Sequence, residues 1–277
     1  MPDRITVVDS KAPLAKGSFS NIRKYRELLI SLAVRDFRVR FVQTRLGYIW
    51  AIVQPLVLVF ILTFVFGKML NVDTGGIEYP LFALSGQILW SYFSFAAVQG
   101  GQSLVQSQHM IRKIWFPRVV LPLSKSAVGL MDLGIGLLLL LVGVVVMGIG
   151  FTMNSVWILV AILLTWIAGT GISLWTSALS IRFRDVQHAL PYIVQFLFFL
   201  TPVAYPTGIL SRALPEGLAW MSYLNPMAGI IDLSRFGLFN SELSIEHLAI
   251  SIGVAITLLI SGWIYFHSVE RNMADTL

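Results

Sequence analysis

The sequence predicts an all-α polytopic membrane protein, and both composition and charge distribution support that fold class. Only 12% of the 277 residues are charged and 56% are apolar, and the mean hydropathy is +0.78. A soluble protein carries roughly 25% charged residues. Five long runs contain no charged residue: 46–67, 79–108, 133–181, 189–211 and 248–266. Because about 20 apolar residues cross a bilayer, the chain must cross it several times.

Six transmembrane helices are predicted, near 48–68, 81–104, 122–149, 156–181, 188–204 and 246–267. Of the 20 Lys and Arg residues, 16 fall on the side that these crossings assign to both termini. Cytoplasmic segments are enriched in Lys and Arg, so both termini are predicted to be cytoplasmic. The predicted organisation is then a tail over 1–21, an interface helix, a six-span domain over 48–267 and a tail over 268–277.

The segment ahead of the first span is predicted to be an amphipathic interface helix over 22–47, because Asn21 to Arg45 contains neither Gly nor Pro. Asp36 and Arg40 stand four residues apart and are expected to pair with each other. A basic helix beside a membrane is typical of the interface plane. It is either an anchor that follows the positive-inside pattern or a docking surface for a partner.

The predicted fifth span is short and contains Pro191, and the residues that follow it are unusual. Residues 205–240 are too apolar for an exposed loop and too often interrupted by Pro and Gly to cross the membrane. Asn225 followed by Pro226 is typical of a helix start. Broken helices at membrane depth require burial in protein or an aqueous cavity. We therefore predict short re-entrant helices over 205–240, with a partly interfacial hairpin as the alternative.

The sequence offers little chemistry of its own. It contains no Cys, no phosphate-binding G-x-x-x-x-G-K-[ST] loop, and neither H-E-x-x-H nor G-x-S-x-G. The four His residues are scattered near span ends: His109, His188, His247 and His267. We expect no catalytic residue, no metal site and no bound cofactor. The net charge of +6 follows the topology, so no nucleic-acid partner is expected, and any nucleotide hydrolysis would occur on a partner.

Two ionisable residues lie within or near the third span, Lys125 and Asp132, seven residues apart on one helical face. An ionisable residue inside a membrane is by default a functional hypothesis. Asp132 could be a proton relay in a secondary transporter. The structural interpretation is that Lys125 extends to the cytoplasmic boundary and Asp132 is hydrogen-bonded at a helix contact. A single carboxylate without a second acid or His nearby favours the structural interpretation.

Aromatic residues allow two interpretations as well. Tyr192, Phe196 and Phe199 share one face of the short fifth span; such a stripe either lines a path for sugars, which stack on flat rings, or packs against another helix. Near predicted span ends, Trp and Tyr are expected in interfacial belts, and the residues concerned are Tyr48, Trp50, Trp90, Tyr92, Trp157, Trp220 and Tyr223.

A set of short motifs runs in order along the chain. The first are Arg35-Asp36-Phe37-Arg38, Thr44-Arg45-Leu46-Gly47, Trp50-Ala51, Gln54-Pro55 and Val65-Phe66-Gly67. Later ones are Tyr79-Pro80, Ser85-Gly86, Phe116-Pro117-Arg118, Arg182-Phe183-Arg184-Asp185-Val186, Thr201-Pro202-Val203, Tyr205-Pro206, Leu224-Asn225-Pro226-Met227 and Arg235. This ordered set resembles the type-2 ABC exporter permeases, and in particular the subgroup that exports O-antigen, capsule and teichoic acid polymers. The resemblance covers about residues 22–270.

The resemblance implies a six-span permease that forms a homodimer and binds two separate ATPase subunits, which hold ATP and Mg. The residues expected to contact the ATPases are His109, Arg112, Lys113, Trp115, Phe116, Arg118, Arg35 and Arg38. A substrate path between the first and fifth spans would involve Tyr48, Trp50, Phe60, Tyr192, Phe196 and Phe199. An outer gate would involve Pro202, Tyr205, Pro206, Asn225 and Pro226.

The function expected from this combination is the transmembrane subunit of an ATP-driven exporter. It would move a lipid-linked, O-antigen-like polysaccharide across the bacterial cytoplasmic membrane, and it would not itself be an enzyme. Short outer loops fit the glycan-exporting subgroup. The alternatives are a drug or lipid exporter of the same fold, and a proton-coupled secondary transporter that uses Asp132.

Overall fold

The computed structural model describes residues 24–42, 45–213, 215 and 218–272. Every regular element in these ranges is helical, which confirms the predicted all-α fold class. The predicted tail 1–21 lies outside the described residues, as does half of the predicted tail 268–277, residues 273–277. The domain limits proposed from the sequence stay predictions.

Ten α-helices make up the described chain, and short 3-10 or π-helical segments extend several of them. The helices are α1 (Arg26–Val42), α2 (Trp50–Leu62), α3 (Tyr79–Gln106), α4 (Gln108–Lys113), α5 (Val120–Val146), α6 (Trp157–Arg182), α7 (Arg184–Phe199), α8 (Thr207–Ala213), α9 (Pro226–Phe239) and α10 (Ile245–Asn272). A 3-10 turn, Gly47–Ile49, precedes α2, and a π-helical segment, Thr63–Met69, continues it.

Five helical segments are long and apolar enough to cross a membrane: Gly47–Met69, Tyr79–Gln106, Val120–Val146, Met153–Arg182 and Ile245–Glu270. They correspond to the predicted spans one to four and six, and the protein is a multi-pass membrane protein. The predicted fifth span is α7, which has only 16 residues, fewer than the roughly 20 that a crossing takes. The six-span count therefore stays a prediction.

The two described ends of the chain lie at the same end of the helix bundle, which we call the basic end. There Leu32 of α1 and Phe266 of α10 pack with Leu104 and Phe116 in one buried cluster. At the opposite end, the Asn154 side chain donates a hydrogen bond to that of Asn240, at 2.8 Å. The long helices run between these two ends.

The interior of the bundle is built on small residues and hydroxyl groups. The hydroxyl of Tyr92 hydrogen-bonds that of Ser126 at 2.7 Å, and Ser126 hydrogen-bonds Thr170 at 2.9 Å, so α3, α5 and α6 are linked. A Cβ at Gly169 would stand 2.4 Å from the Tyr92 ring; only glycine permits this approach. Tyr92 and Trp90 are buried, so the prediction that they belong to an interfacial belt is wrong.

The helix predicted ahead of the first span is confirmed as α1, but its side chains pair differently from the prediction. Asp36 does not pair with Arg40. Its carboxylate lies 2.8 Å from Lys125, and Arg40 lies 2.5 Å from Asp132. The reason is that α1 packs along α5, and charges at a contact between helices need partners more than charges in water do.

Apolar side chains occur on more than one face of α1. Leu32 and Ala33 are buried, whereas Ile30 and Val39 are exposed. The helix is therefore less amphipathic than predicted, and its position is defined by the contacts that it makes with α5.

The helix start predicted at Asn225 is confirmed. Its side chain accepts a hydrogen bond from the Met227 amide at 3.1 Å, and Pro226 is the first residue of α9. One side of this helix is buried: Met227, Ile230, Ile231 and Leu238. The helix packs against α3, α6 and α10, so α9 is a short helix within the bundle. The re-entrant position of 205–240 in a membrane stays a prediction.

Candidate functional site

A groove of 610 Å³ runs along α3, between α2 and α7. Its wall on α3 is made by one helical face, on which Gln87, Ser91, Ser94 and Val98 recur every three or four residues. The other lining residues are aromatic, amide or apolar: Leu58, Trp90, Phe95, Pro191, Val194, Gln195, Phe198 and Phe199. Among the described residues that line this groove, none carries a charge.

A smaller cavity of 220 Å³ adjoins the groove and reaches α1 and α5. The two spaces share four lining residues, Leu58, Gln87, Ser91 and Phe95. The smaller one also includes Gln54 of the first span and the paired side chains of Arg40 and Asp132. A polar, partly aromatic cleft therefore extends from the surface of α3 to this ion pair.

Gln87 is the most unusual residue of this cleft. Its side-chain Nε2 donates a hydrogen bond to Ser91 at 2.9 Å, but its Oε1 has no hydrogen-bond partner within the described part of the chain. The residue is only 5% exposed. An unpaired buried carbonyl costs stability, so its presence calls for an explanation.

The six predicted path residues are mostly exposed but do not all line the groove. Phe199 lines it. Tyr192 and Phe196 lie on the adjoining face of α7 and are 65% and 70% exposed, which removes the interpretation that they pack inside their own chain. Tyr48, Trp50 and Phe60 are exposed around the first span. The polar face at Gln87 and Ser91 was missed, although two polar residues inside a charge-free run were a visible signal.

The residues predicted to contact the ATPases divide into three groups. His109, Arg112, Lys113 and Trp115 are exposed at the basic end, and the Trp115 ring meets that of Tyr25 edge-on with centroids 6.4 Å apart. A cavity of 210 Å³ lies beside Trp115 and reaches Ile111, Ile114, Phe116, Arg118 and Glu270. We call this exposed group with its cavity the basic-end surface.

Phe116 and Arg118 are held by the chain itself. Phe116 is 6% exposed and belongs to the cluster around Leu104 and Phe266. The Arg118 amide donates to the Glu270 carboxylate at 3.0 Å, and its guanidinium donates to the Glu270 carbonyl at 3.4 Å. Phe116 therefore positions the loop and offers no exposed ring to a partner.

On α1, Arg35 and Arg38 are exposed. The Arg35 guanidinium donates two hydrogen bonds to Asp36, at 2.7 and 3.0 Å. Burial alone would raise the pKa of Asp36, but hydrogen bonds and positive charges from Lys125 and Arg35 outweigh it, so the pKa lies below its usual value. Asp36 is thus a carboxylate shared between α1 and α5.

The residues predicted to form an outer gate come together at the opposite end of the bundle. The Tyr205 hydroxyl donates to the Phe199 carbonyl at 2.5 Å, so it ties the segment after α7 back onto that helix. Asn225 donates to the Thr201 hydroxyl at 2.7 Å. Pro202 and Pro226 are buried, and Pro206 is partly buried.

A buried arginine at this end was not recognised as structural. Arg235 is 2% exposed, and its Nη2 donates to the carbonyls of Val203 at 2.9 Å and Phe82 at 3.3 Å. Its guanidinium lies over the Phe82 ring at 3.5 Å. Nearby, Thr207 donates to the Asp232 carboxylate at 2.7 Å. These bonds hold α9, α3 and the segment after α7 together.

Comparison with known proteins gives consistent matches over most of the chain. The sequence profile of the ABC-2 type transporter family matches residues 27–239. The O-antigen export system permease protein RfbA of Klebsiella pneumoniae is 27% identical over 252 residues, which is 91% of this chain and 95% of the relative. RfbA of Myxococcus xanthus is 27% identical over 257 residues, with 92% and 96% covered.

A third relative is named for a different cargo. The polysialic acid transport protein KpsM of Escherichia coli is 25% identical over 228 residues, which is 79% of this chain and 85% of the relative. The family match over residues 27–239 includes the cleft, the loop around Trp115 and Arg235. This chain belongs to the ABC-2 type transporter family.

Proposed function

We propose that the chain is the permease subunit of an ATP-driven exporter that moves a lipid-linked polysaccharide out of the bacterial cytoplasm. The observation that carries the proposal is the cleft along α3, which combines amide and hydroxyl side chains with aromatic rings between two membrane-length helices and α7. Polar groups at membrane depth mark an aqueous cavity rather than a lipid-facing surface.

The substrate class is supported by the relatives. Two are named as O-antigen export permeases and one as a polysialic acid transport protein, and all of these cargoes are long hydroxyl-rich chains. A groove lined by amide, hydroxyl and aromatic side chains suits the hydroxyl groups and ring faces of such a cargo.

The energy source is proposed to be a separate ATPase. The sequence has no phosphate-binding loop, so ATP and Mg would be bound by the partner. We assign two ATPase subunits to a homodimer of this chain, docked on the basic-end surface. Exposed Trp115 beside Arg112 and Lys113 is the combination that typically anchors a protein interface.

In the proposed topology both termini lie in the cytoplasm and the chain crosses the inner membrane six times, with α7 as the fifth, short span. The basic end then faces the ATPases. Residues 205–240 face the outside as short re-entrant helices. Lys113, the last residue of α4, and Arg118, in the loop after it, follow the positive-inside pattern.

In the proposed mechanism, closure of the ATPase dimer pushes on α4 and on the loop around Trp115. The movement reaches α5 through the same loop, and it reaches α1 through the contact of Tyr25 with Trp115. The path between the first span and α7 would then widen. Cargo moves only if the inward and outward states bind it with different free energies.

Deleting the gene in its host and supplying it again on a plasmid tests the proposal. We expect the deletion strain to lose a surface polysaccharide and to accumulate the lipid-linked polymer inside, and the plasmid to reverse both. Unchanged surface glycan would contradict the proposal. A changed lipid or drug efflux with normal glycan would instead indicate a lipid or drug exporter of the same family.

A further inference from the structure

Only the nitrogen of the Gln87 side-chain amide is hydrogen-bonded. Its Nε2 donates to Ser91, whereas its buried Oε1 accepts no hydrogen bond from the described residues. The residue lines both the groove and the smaller cavity, so Gln87 lies where the two spaces meet. A buried acceptor beside a cavity is available to a ligand hydroxyl or to water.

Three helices bring polar side chains to the same cleft. Gln54 comes from the first span, Ser91 from α3 and Gln195 from α7, and all three are exposed. An amide facing hydrocarbon would lose its hydrogen bonds with water at considerable cost. Their convergence on one space indicates that this space holds a polar occupant.

The chemistry of the lining defines the occupant. Each amide offers both a donor and an acceptor, and each hydroxyl does the same, so the lining suits groups that also donate and accept. Phe95 and Phe198 add flat apolar faces. The nearest opposite charges, Arg40 and Asp132, are joined to each other, so a neutral ligand segment is favoured over an ion.

We propose that Gln87, with Ser91 and Gln195, forms a subsite that hydrogen-bonds the hydroxyl groups of one sugar ring of the translocated polymer. The inference rests on the proposed export function and assigns this contact to the polar face of α3, in addition to the aromatic stripe of α7. The unpaired Oε1 of Gln87 accepts a sugar hydroxyl, and the ring stacks on a neighbouring aromatic face.

The test uses the intact permease assembled with its ATPase in proteoliposomes, loaded with the lipid-linked polymer that accumulates in the deletion strain. Gln87→Met and Gln195→Met each replace an amide by an apolar side chain of similar length. Gln102→Met makes the same change on α3, at a residue whose side chain pairs with Gln106 and does not line the cleft. Export per assembled complex and the melting temperature are measured for every variant.

We expect Gln87→Met and Gln195→Met to lower export roughly fivefold to tenfold, the factor that one uncharged hydrogen bond contributes. Gln102→Met should export as the unmodified protein does. The melting temperature of Gln87→Met should not fall, because the change removes an unpaired buried acceptor. A purely structural role predicts lower export only in proportion to lost stability.

Two results overturn the inference while leaving the export function intact: Gln87→Met exporting at the unmodified rate, or losing export only as its melting temperature falls. Absence of glycan export by the unmodified complex overturns the proposed function itself, and the subsite with it. Glycan export by the unmodified complex therefore distinguishes failure of the subsite from failure of the proposed function.

Discussion

Arg40 of α1 and Asp132 of α5 are joined by an ion pair of 2.5 Å, and Asp36 and Lys125 form a second pair of 2.8 Å between the same helices. Along α1 the acid Asp36 comes before the base Arg40. Along α5 the base Lys125 comes before the acid Asp132, so the two pairs have opposite polarity. The paired residues of α5 lie seven positions apart, about 10 Å along the helix. A shifted or inverted α1 would bring like charges together.

Exchanging the charges of Arg40 and Asp132 tests whether the pair holds α1 in place. Arg40→Asp alone places two carboxylates together and should lower the free energy of unfolding by about 1–3 kcal/mol. The double variant Arg40→Asp/Asp132→Arg should recover most of that loss. Thermal unfolding in detergent measures it, with Arg38→Asp as the exposed control. A double variant no more stable than either single variant would show that the pair contributes nothing.

The second pair predicts a dependence on pH. The pKa of Asp36 is lowered in the folded protein, so its contribution is complete above the usual carboxyl pKa of about 3.9. It is lost as the pH falls through the folded pKa. Spin labels at exposed Val39 and Leu138 should keep one distance from pH 7 to 5 and separate only at more acid pH.

The measurement needs no removal of native thiols, since the sequence contains no Cys. In Asp36→Asn the labels should already show a broad distance distribution at neutral pH. A transition of the unmodified protein between pH 7 and 5 would contradict the assignment to Asp36.

These ion pairs also show what could be predicted from the sequence and what could not. Lys125 and Asp132 could be recognised as membrane charges that require partners, and the structural interpretation of Asp132 is the one that the geometry favours. The identity of the partners could not be predicted, because spacing within one helix suggested Asp36 with Arg40. The helix that packs on α1 is determined by tertiary structure, and residue spacing within α1 does not indicate it.

At the basic-end surface, replacing two neighbouring aromatic residues should have different effects on ATPase binding and on stability. Trp115 is 61% exposed and Phe116 is 6% exposed. Trp115→Ala should leave the melting temperature unchanged and weaken co-purification of the ATPase at least tenfold, as the loss of an interface anchor does. Phe116→Ala should instead destabilise the permease by about 3–5 kcal/mol. Normal ATPase recovery with Trp115→Ala would exclude this loop as the docking site.

The exposed aromatic stripe of α7 predicts a loss of export without a loss of stability. Replacing Tyr192, Phe196 and Phe199 by Ala removes rings that pack little within the chain, so the melting temperature should hold. Export should fall on the order of tenfold if each ring stacks weakly on sugar. Ile193→Ala, at a 51% exposed position on the same helix, is the control. Equal export by the triple and control variants would indicate that the rings face lipid.

The site itself was only partly predictable. Aromatic spacing on α7 indicated a stripe, because i, i+4 and i+7 positions always share a helical face. Gln87 and Ser91 gave a weaker signal, since isolated polar residues in an apolar run are common at ordinary helix contacts. Their importance depends on α2 and α7 lying on either side of α3, and on the empty space between them.

The central claim is that the cleft along α3 is an aqueous path for glycan, and a cysteine placed in it tests that claim directly. Ser91→Cys adds a single thiol at an exposed position in the groove, and Leu138→Cys adds one at a 65% exposed position on α5. The rate of reaction with a water-soluble maleimide is measured in membranes that contain the assembled transporter. We predict fast labelling at residue 91 that stops polymer export, slower labelling when polymer occupies the transporter, and little labelling at residue 138. Residue 91 reacting no faster than residue 138, or reacting fully while export continues, would contradict the account.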